Sequence, residues 1–226
     1  MKGIEMDNYQ QAMAEERNEN FHAALKLFED CLSRNDLDKG DVLFHCAWCQ
    51  EHNEAGDKEE ATRLYFEASR IAHSNACRLN SMFRAGWLLM HAKEYSQAAT
   101  MFRHAIDYGD VVDLKIEPYQ QAAYWYAVCL ETEGQFLEAL QWYRLVEGLA
   151  PQLRPESHWR QVHCLESVGS YGDAVEVCNR LAKPAPDGFP VSRYNMLRDL
   201  AVRERQLLSE SLSDPFDPRS QRKMAS

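Results

Sequence analysis

Residues 123–151 read AYWYAVCLETEGQFLEALQWYRLVEGLAP, and this stretch decides the fold. Ala123, Tyr126, Ala127 and Leu130 follow the i, i+3, i+4, i+7 spacing that places four side chains on one helical stripe. Gly134 then interrupts the pattern. Phe136, Ala139 and Tyr143 resume it on a second helix, and Pro151 closes the unit.

The same arrangement recurs along the chain. Alanines 24, 61, 98, 139 and 174 each follow a small or turn residue and, in most cases, an aromatic. They are 37, 37, 41 and 35 residues apart, a period that marks a helical repeat array. Twelve residues before each alanine stands Ala12, Cys49, Gly86, Ala127 or Val162, small in the first four units. A small side chain there lets two helices approach closely. Four residues after each alanine stands Phe28, Tyr65, Phe102, Tyr143 or Cys178, which fills the space beside the contact.

This pattern resembles the tetratricopeptide repeat over roughly residues 5–186, most clearly at Ala127, Leu130, Gly134, Phe136, Ala139, Tyr143 and Pro151. The period here exceeds the roughly 34 residues usual for that repeat. The resemblance implies an all-α, right-handed superhelical solenoid of about five helix pairs. The units are expected near 5–38, 42–75, 79–117, 120–153 and 155–186. In the first unit Asn8, Gln11 and Glu15 make the leading stripe polar, as suits an exposed end. Ile106 to Pro118 is read as a lengthened connection. Residues 187–210 are expected to hold a linker and a capping helix from about Ser192, with Tyr194, Leu197, Ala201 and Leu208 on one face. Residues 211–226 are expected to form a disordered tail.

Composition narrows the function. The 226-residue chain has a net charge of -10, which repels nucleic-acid phosphates and anionic lipid surfaces. No apolar run approaches the ~20 residues needed to span a bilayer. The amino terminus turns acidic at Glu5 and Asp7 without an apolar signal core, so the expectation is a cytoplasmic protein. Seven cysteines within helical patterns suit reduced, buried thiols.

The resemblance also implies a ligand groove lined by the first helix of each unit. Positions 15, 14 and 11 residues before each alanine supply its candidates: Tyr9, Met13, Gln50, Phe83, Arg84, Trp87, Tyr124, Trp125, Val128, Trp159, Arg160 and His163. Aromatics beside arginine are the residue types that anchor interfaces. Each aromatic also has a plain alternative role as core packing. The family's lysine- and asparagine-lined carboxylate clamp is not expected, because these positions are mostly aromatic, aliphatic or sulfur-bearing.

The most chemical-looking motif is HCAWCQEH at residues 45–52. His45, Cys49 and His52 share a helical face and could supply three metal ligands, with Cys46 completing a Cys-x-x-Cys. They also coincide with the stripe that packs Met82, Gly86 and Leu89 in the next unit, and a mid-helix pair lacks the helix N-terminus that activates a thiol. Packing is therefore the preferred reading, with no metal or cofactor expected. Glu15, Glu16, Glu59 and Glu60 fall on faces expected to be solvated, and no catalytic motif is present. The expectation is a non-enzymatic adaptor for a protein or peptide. A secretion- or assembly-type chaperone is one alternative, and a metal- or redox-responsive protein using Cys46 and Cys49 another. Self-association through the C-terminal helix is a further expectation.

Overall fold

The computed structural model describes residues 7–183, 191–213 and 217. Among these are eleven α-helices: α1 (Asn8–Arg17), α2 (Phe21–Cys31), α3 (Lys39–His52), α4 (Lys58–Ile71), α5 (Asn75–His91), α6 (Tyr95–Val111), α7 (Glu117–Thr132), α8 (Phe136–Leu149), α9 (Arg154–Ser167), α10 (Tyr171–Leu181) and α11 (Val191–Ser213). A 3-10 turn, Pro151–Leu153, leads into α9. The chain divides into two compact units, residues 1–122 and 123–226.

Local chemistry sets where the helices begin and end. Asp38 accepts from the Gly40 amide and Asp57 from those of Glu59 and Glu60, capping α3 and α4. Ser74 caps α5 by accepting from the Cys77 amide. Within four of the helix pairs the connecting turn places one residue in the left-handed region: Glu19, Lys93, Gly134 and Gly169. Glycine adopts that conformation without steric cost, whereas Glu19 and Lys93 carry a strain of roughly 1 kcal/mol.

In the first unit each helix packs on the next, from α1 on α2 through α5 on α6. The repeating alanines form the spine of both units, since Ala24, Ala61, Ala98, Ala139 and Ala174 are all fully buried. Their partners behave as their sizes dictate. Phe28, Tyr65, Phe102, Tyr143 and Cys178 are also fully buried. A Cβ added to Gly86 would lie 2.9 Å from the Phe102 ring, so the small residue on α5 is what admits the aromatic of α6.

In the second unit α7 meets α8 through Tyr124 against Tyr143, ring centroids 5.8 Å apart, and Tyr126 against Trp142 at 5.1 Å. Then α8 packs on α9, α9 on α10, and α11 on both α10 and α9. Tyr194, Leu197, Ala201 and Leu208 form the buried face of α11, which makes it a cap on the last helix pair.

Three expectations need correction. Residues 106–118 are not mainly a lengthened connection, because α6 continues to Val111 and α7 starts at Glu117. The extra residues are absorbed by longer helices, whose inner side buries Ile106, Gly109 and Tyr119. Residues 211–213 are helical, since α11 runs to Ser213. Glu16 is not on a solvated face; it is half-buried and its Oε2 lies 2.8 Å from the His45 Nδ1. The linker residues 184–190 and most of the expected tail lie outside the described residues.

Candidate functional site

Each unit carries one buried carboxylate, and the candidate residues of that unit are described around it. Glu51, near the end of α3, is 7% exposed and accepts the Tyr65 hydroxyl of α4 at 2.8 Å. It also accepts from Arg84 of α5, whose Nε lies at 3.0 Å. In the second unit Glu131, near the end of α7, is likewise 7% exposed and accepts the Tyr143 hydroxyl of α8 at 2.6 Å. Arg160 Nη1 and His163 Nδ1 of α9 reach it at 3.2 and 2.7 Å.

The two clusters share one logic. Tyr65 and Tyr143 each stand four residues after a repeat alanine, and Arg84 and Arg160 each stand fourteen before the next. A carboxylate from one helix, a phenol from its pair mate and a guanidinium from the following helix thus converge. A buried carboxylate is tolerable only when paired and hydrogen-bonded, and each of these is both. Burial, followed by the adjacent glutamate, pushes the Tyr65 and Tyr143 hydroxyls above the ordinary phenol range, so both stay protonated and can donate to their glutamates.

Of the groove candidates, Arg84 gathers at Glu51, and Trp159, Arg160 and His163 at Glu131, while Tyr9, Met13, Gln50, Trp87 and Trp125 have other neighbours. In the first unit Arg84 lies over the Trp48 ring, 4.9 Å from its centroid, and Trp87 is half-buried beside His91 at 4.3 Å. Tyr9 donates to Asp41 at 2.6 Å, Met13 packs against the core, and Gln50 accepts from the Asp57 amide. In the second unit Trp159, Arg160 and His163 line a cavity of about 330 Å³, together with Glu131, Val162, Glu166 and Glu204. Glu204 comes from α11, so the cap forms one wall. Trp125 is half-buried at the edge of Tyr124.

Three candidates belong to the core. Phe83, Tyr124 and Val128 are at most 7% exposed. Their positions turn toward the second helix of the same pair, as Phe83 does against Phe102 and Tyr124 against Tyr143. Each lies beneath the surface of its own unit and offers a ligand almost no area.

The HCAWCQEH segment is mostly structural. Cys46 and Cys49 are buried, and burial pushes both thiols up to about 12, opposite to the shift that makes a thiolate reactive. His45 stacks on Phe28 at 5.0 Å. His52, by contrast, is exposed rather than on the packing stripe, and stacks on Trp48 at 4.0 Å. Among the described residues no group of three His, Cys, Asp or Glu side chains is placed to hold a metal ion. All seven cysteines are buried and unpaired with one another.

Sequence reasoning found Arg84 and Arg160 but missed the glutamates that hold them. Glu51 is ten residues before its alanine and Glu131 eight, so the acidic position does not keep register with the repeat.

Helix pairs of this kind, spaced by about 37 residues and locked by buried alanines, define a helical-repeat protein. Residues 83–154 match the family model described as Tetratricopeptide repeat, so that stretch of the chain is built of tetratricopeptide repeats. Its fold is similar to that of YrrB, described as a TPR protein with an unusual peptide-binding site. That likeness has a TM-score of 0.65 at 16% identity, over 87% of this chain and 90% of that one. It is also similar to MamA, with a TM-score of 0.57 at 14% identity over 99% and 100% of the two chains. A MamA RS-1 ArsTM double mutant gives 0.62 at 12% identity over 85% and 95%. No curated protein matches the sequence. No described helix is long and apolar enough to cross a membrane.

Proposed function

We propose that the chain is a non-enzymatic adaptor that binds a peptide segment of another protein at the α9 face of its second unit. The observation that supports this most is the cavity bordered by Trp159, Arg160 and His163, which is open, partly aromatic and of a size that accepts a side chain. Glu131 is already paired with Arg160, and Glu166 and Glu204 leave the lining net acidic, which favours a ligand side chain carrying positive charge. Trp159 supplies a flat apolar wall beside it, against which the stem of a lysine or arginine can lie. The likeness to a peptide-binding repeat protein is consistent with this use of the fold.

The test uses the whole chain and an array of fluorescent peptides that vary in charge and aromatic content. Peptides holding Lys or Arg are expected to bind, and Trp159→Ala is expected to weaken them at least tenfold with helical content unchanged. Equal binding of acidic and basic peptides, or an unchanged affinity for Trp159→Ala, would overturn this reading.

A further inference from the structure

The capping helix has two apolar faces, and the fold covers one. Tyr194, Leu197, Ala201 and Leu208 are buried against α9 and α10. Met196, Leu200 and Leu207 are 57%, 38% and 54% exposed. At 100° per residue these three fall within about 40° of one another around the helix, so they form a single stripe. The stripe is roughly 110° around the helix from the buried face.

Its extension in both directions is charged and regular. Arg193, Met196, Leu200, Arg203, Leu207 and Glu210 follow each other at intervals of 3, 4, 3, 4 and 3 residues. That alternation is the seam spacing of a two-helix coiled coil. The series is also self-complementary when reversed. Laid antiparallel on itself about the point between Ala201 and Val202, Met196 faces Leu207, Leu200 faces the aliphatic stem of Arg203, and Arg193 faces Glu210. A twofold axis makes each layer occur twice. A parallel pairing would instead set Arg193 against Arg193, Arg203 against Arg203 and Glu210 against Glu210, three like-charge layers.

We propose that α11 pairs antiparallel with α11 of a second copy of this chain, making the protein a dimer through its cap. The charge order selects a second copy over an unrelated helix, because one sequence supplies both members of every layer. The monomer does not use up the end charges. Arg193 places its Nε on Glu156, which leaves its terminal guanidinium nitrogens for an incoming carboxylate, and it is 58% exposed. Arg203 in the middle layer would lie beside Asp199 of the other copy, a pairing of opposite sign. The seam covers under three heptads, so the dimer is of micromolar rather than nanomolar strength.

The experiment is sedimentation of the full chain from about 1 to 200 µM, followed by cysteine crosslinking. A monomer–dimer transition within that range is expected, and Leu207→Glu is expected to hold the chain monomeric with unchanged helical content. Met196→Cys mixed with Leu207→Cys should crosslink under mild oxidation into a disulfide-linked heterodimer, the oxidant taking up the two thiol protons and two electrons. Met196→Cys alone should not, because its own counterpart lies about 16 Å along the helix. The native cysteines are buried and give no background. A chain that stays monomeric at 200 µM, a dimer indifferent to Leu207→Glu, or crosslinking of Met196→Cys with itself would each overturn the proposal. None of these outcomes bears on peptide binding at α9, so the two readings stand or fall separately.

Discussion

The Tyr143 hydroxyl donates to the Glu131 carboxylate at 2.6 Å, and both side chains are buried. The bond joins α7 to α8, and the same carboxylate receives Arg160 and His163 from α9. One acidic side chain therefore ties three consecutive helices, and it does so directly beneath the proposed ligand face.

Glu131→Ala is expected to destabilise the chain by about 2–4 kcal/mol, because Tyr143 loses its acceptor and Arg160 its counter-charge in a partly desolvated site. At this chain length that corresponds to a melting temperature roughly 5–12 °C lower. Tyr143→Phe, which removes a donor and leaves the carboxylate two others, should cost about 1 kcal/mol. Thermal unfolding followed by circular dichroism separates the two. A melting temperature within 2 °C of the parent for Glu131→Ala would remove the tie from the account.

Two glycines inside helices predict opposite signs. A Cβ on Gly40 would lie 2.2 Å from the Ala72 Cα, a backbone atom that cannot step aside. Gly40→Ala should therefore cost about 2 kcal/mol or more as α3 is pushed from α4. Gly148 in α8 has nothing within 4 Å of an added Cβ. Gly148→Ala should raise stability by roughly 0.5–1 kcal/mol through helix propensity alone. Urea midpoints for the two variants, measured side by side, should lie on opposite sides of the parent.

The cysteines predict a loss of stability in alkali. Burial raises Cys46, Cys49, Cys129, Cys164 and Cys178 from 9.0 to about 12. The folded chain keeps these protons while the unfolded chain releases them above pH 9. The stabilisation from protonated burial is thus complete below pH 9 and is lost as pH climbs toward 12. The urea midpoint should fall steadily from pH 9 to 11. A thiol-specific disulfide reagent at pH 8 should modify the native chain at least a hundredfold more slowly than the denatured one. Rapid modification of Cys46 or Cys49 in the native chain would revive a redox role for that pair.

The left-handed turn at Lys93 offers a smaller check. Lys93 holds a φ of 65°, the conformation that Gly134 and Gly169 occupy in the equivalent turns of later repeats. Lys93→Gly should be neutral or stabilising by up to about 1 kcal/mol, since relief of the strain offsets the greater freedom of glycine in the unfolded chain. A clear loss of stability would mean that the lysine makes a contact worth more than the strain.

Much of the fold was legible in the order of residues because its strongest constraints are local. The spacing of Ala24, Ala61, Ala98, Ala139 and Ala174 sets which surfaces can touch, and Gly86 opposite Phe102 follows from size alone. The buried face of α11, from Tyr194 to Leu208, is visible as helical periodicity. What only the tertiary structure decided is where charge and exposed apolar surface end up. Glu51 and Glu131 look like ordinary polar residues at helix ends, and nothing adjacent in sequence marks them. They are buried because a phenol and an arginine, brought from helices 12 to 33 residues away, satisfy them there. The same holds for α11, whose sequence carries two apolar stripes of similar quality. Packing against α9 and α10 consumes one of them, and that choice depends on the shape of the last helix pair rather than on the periodicity of the helix itself.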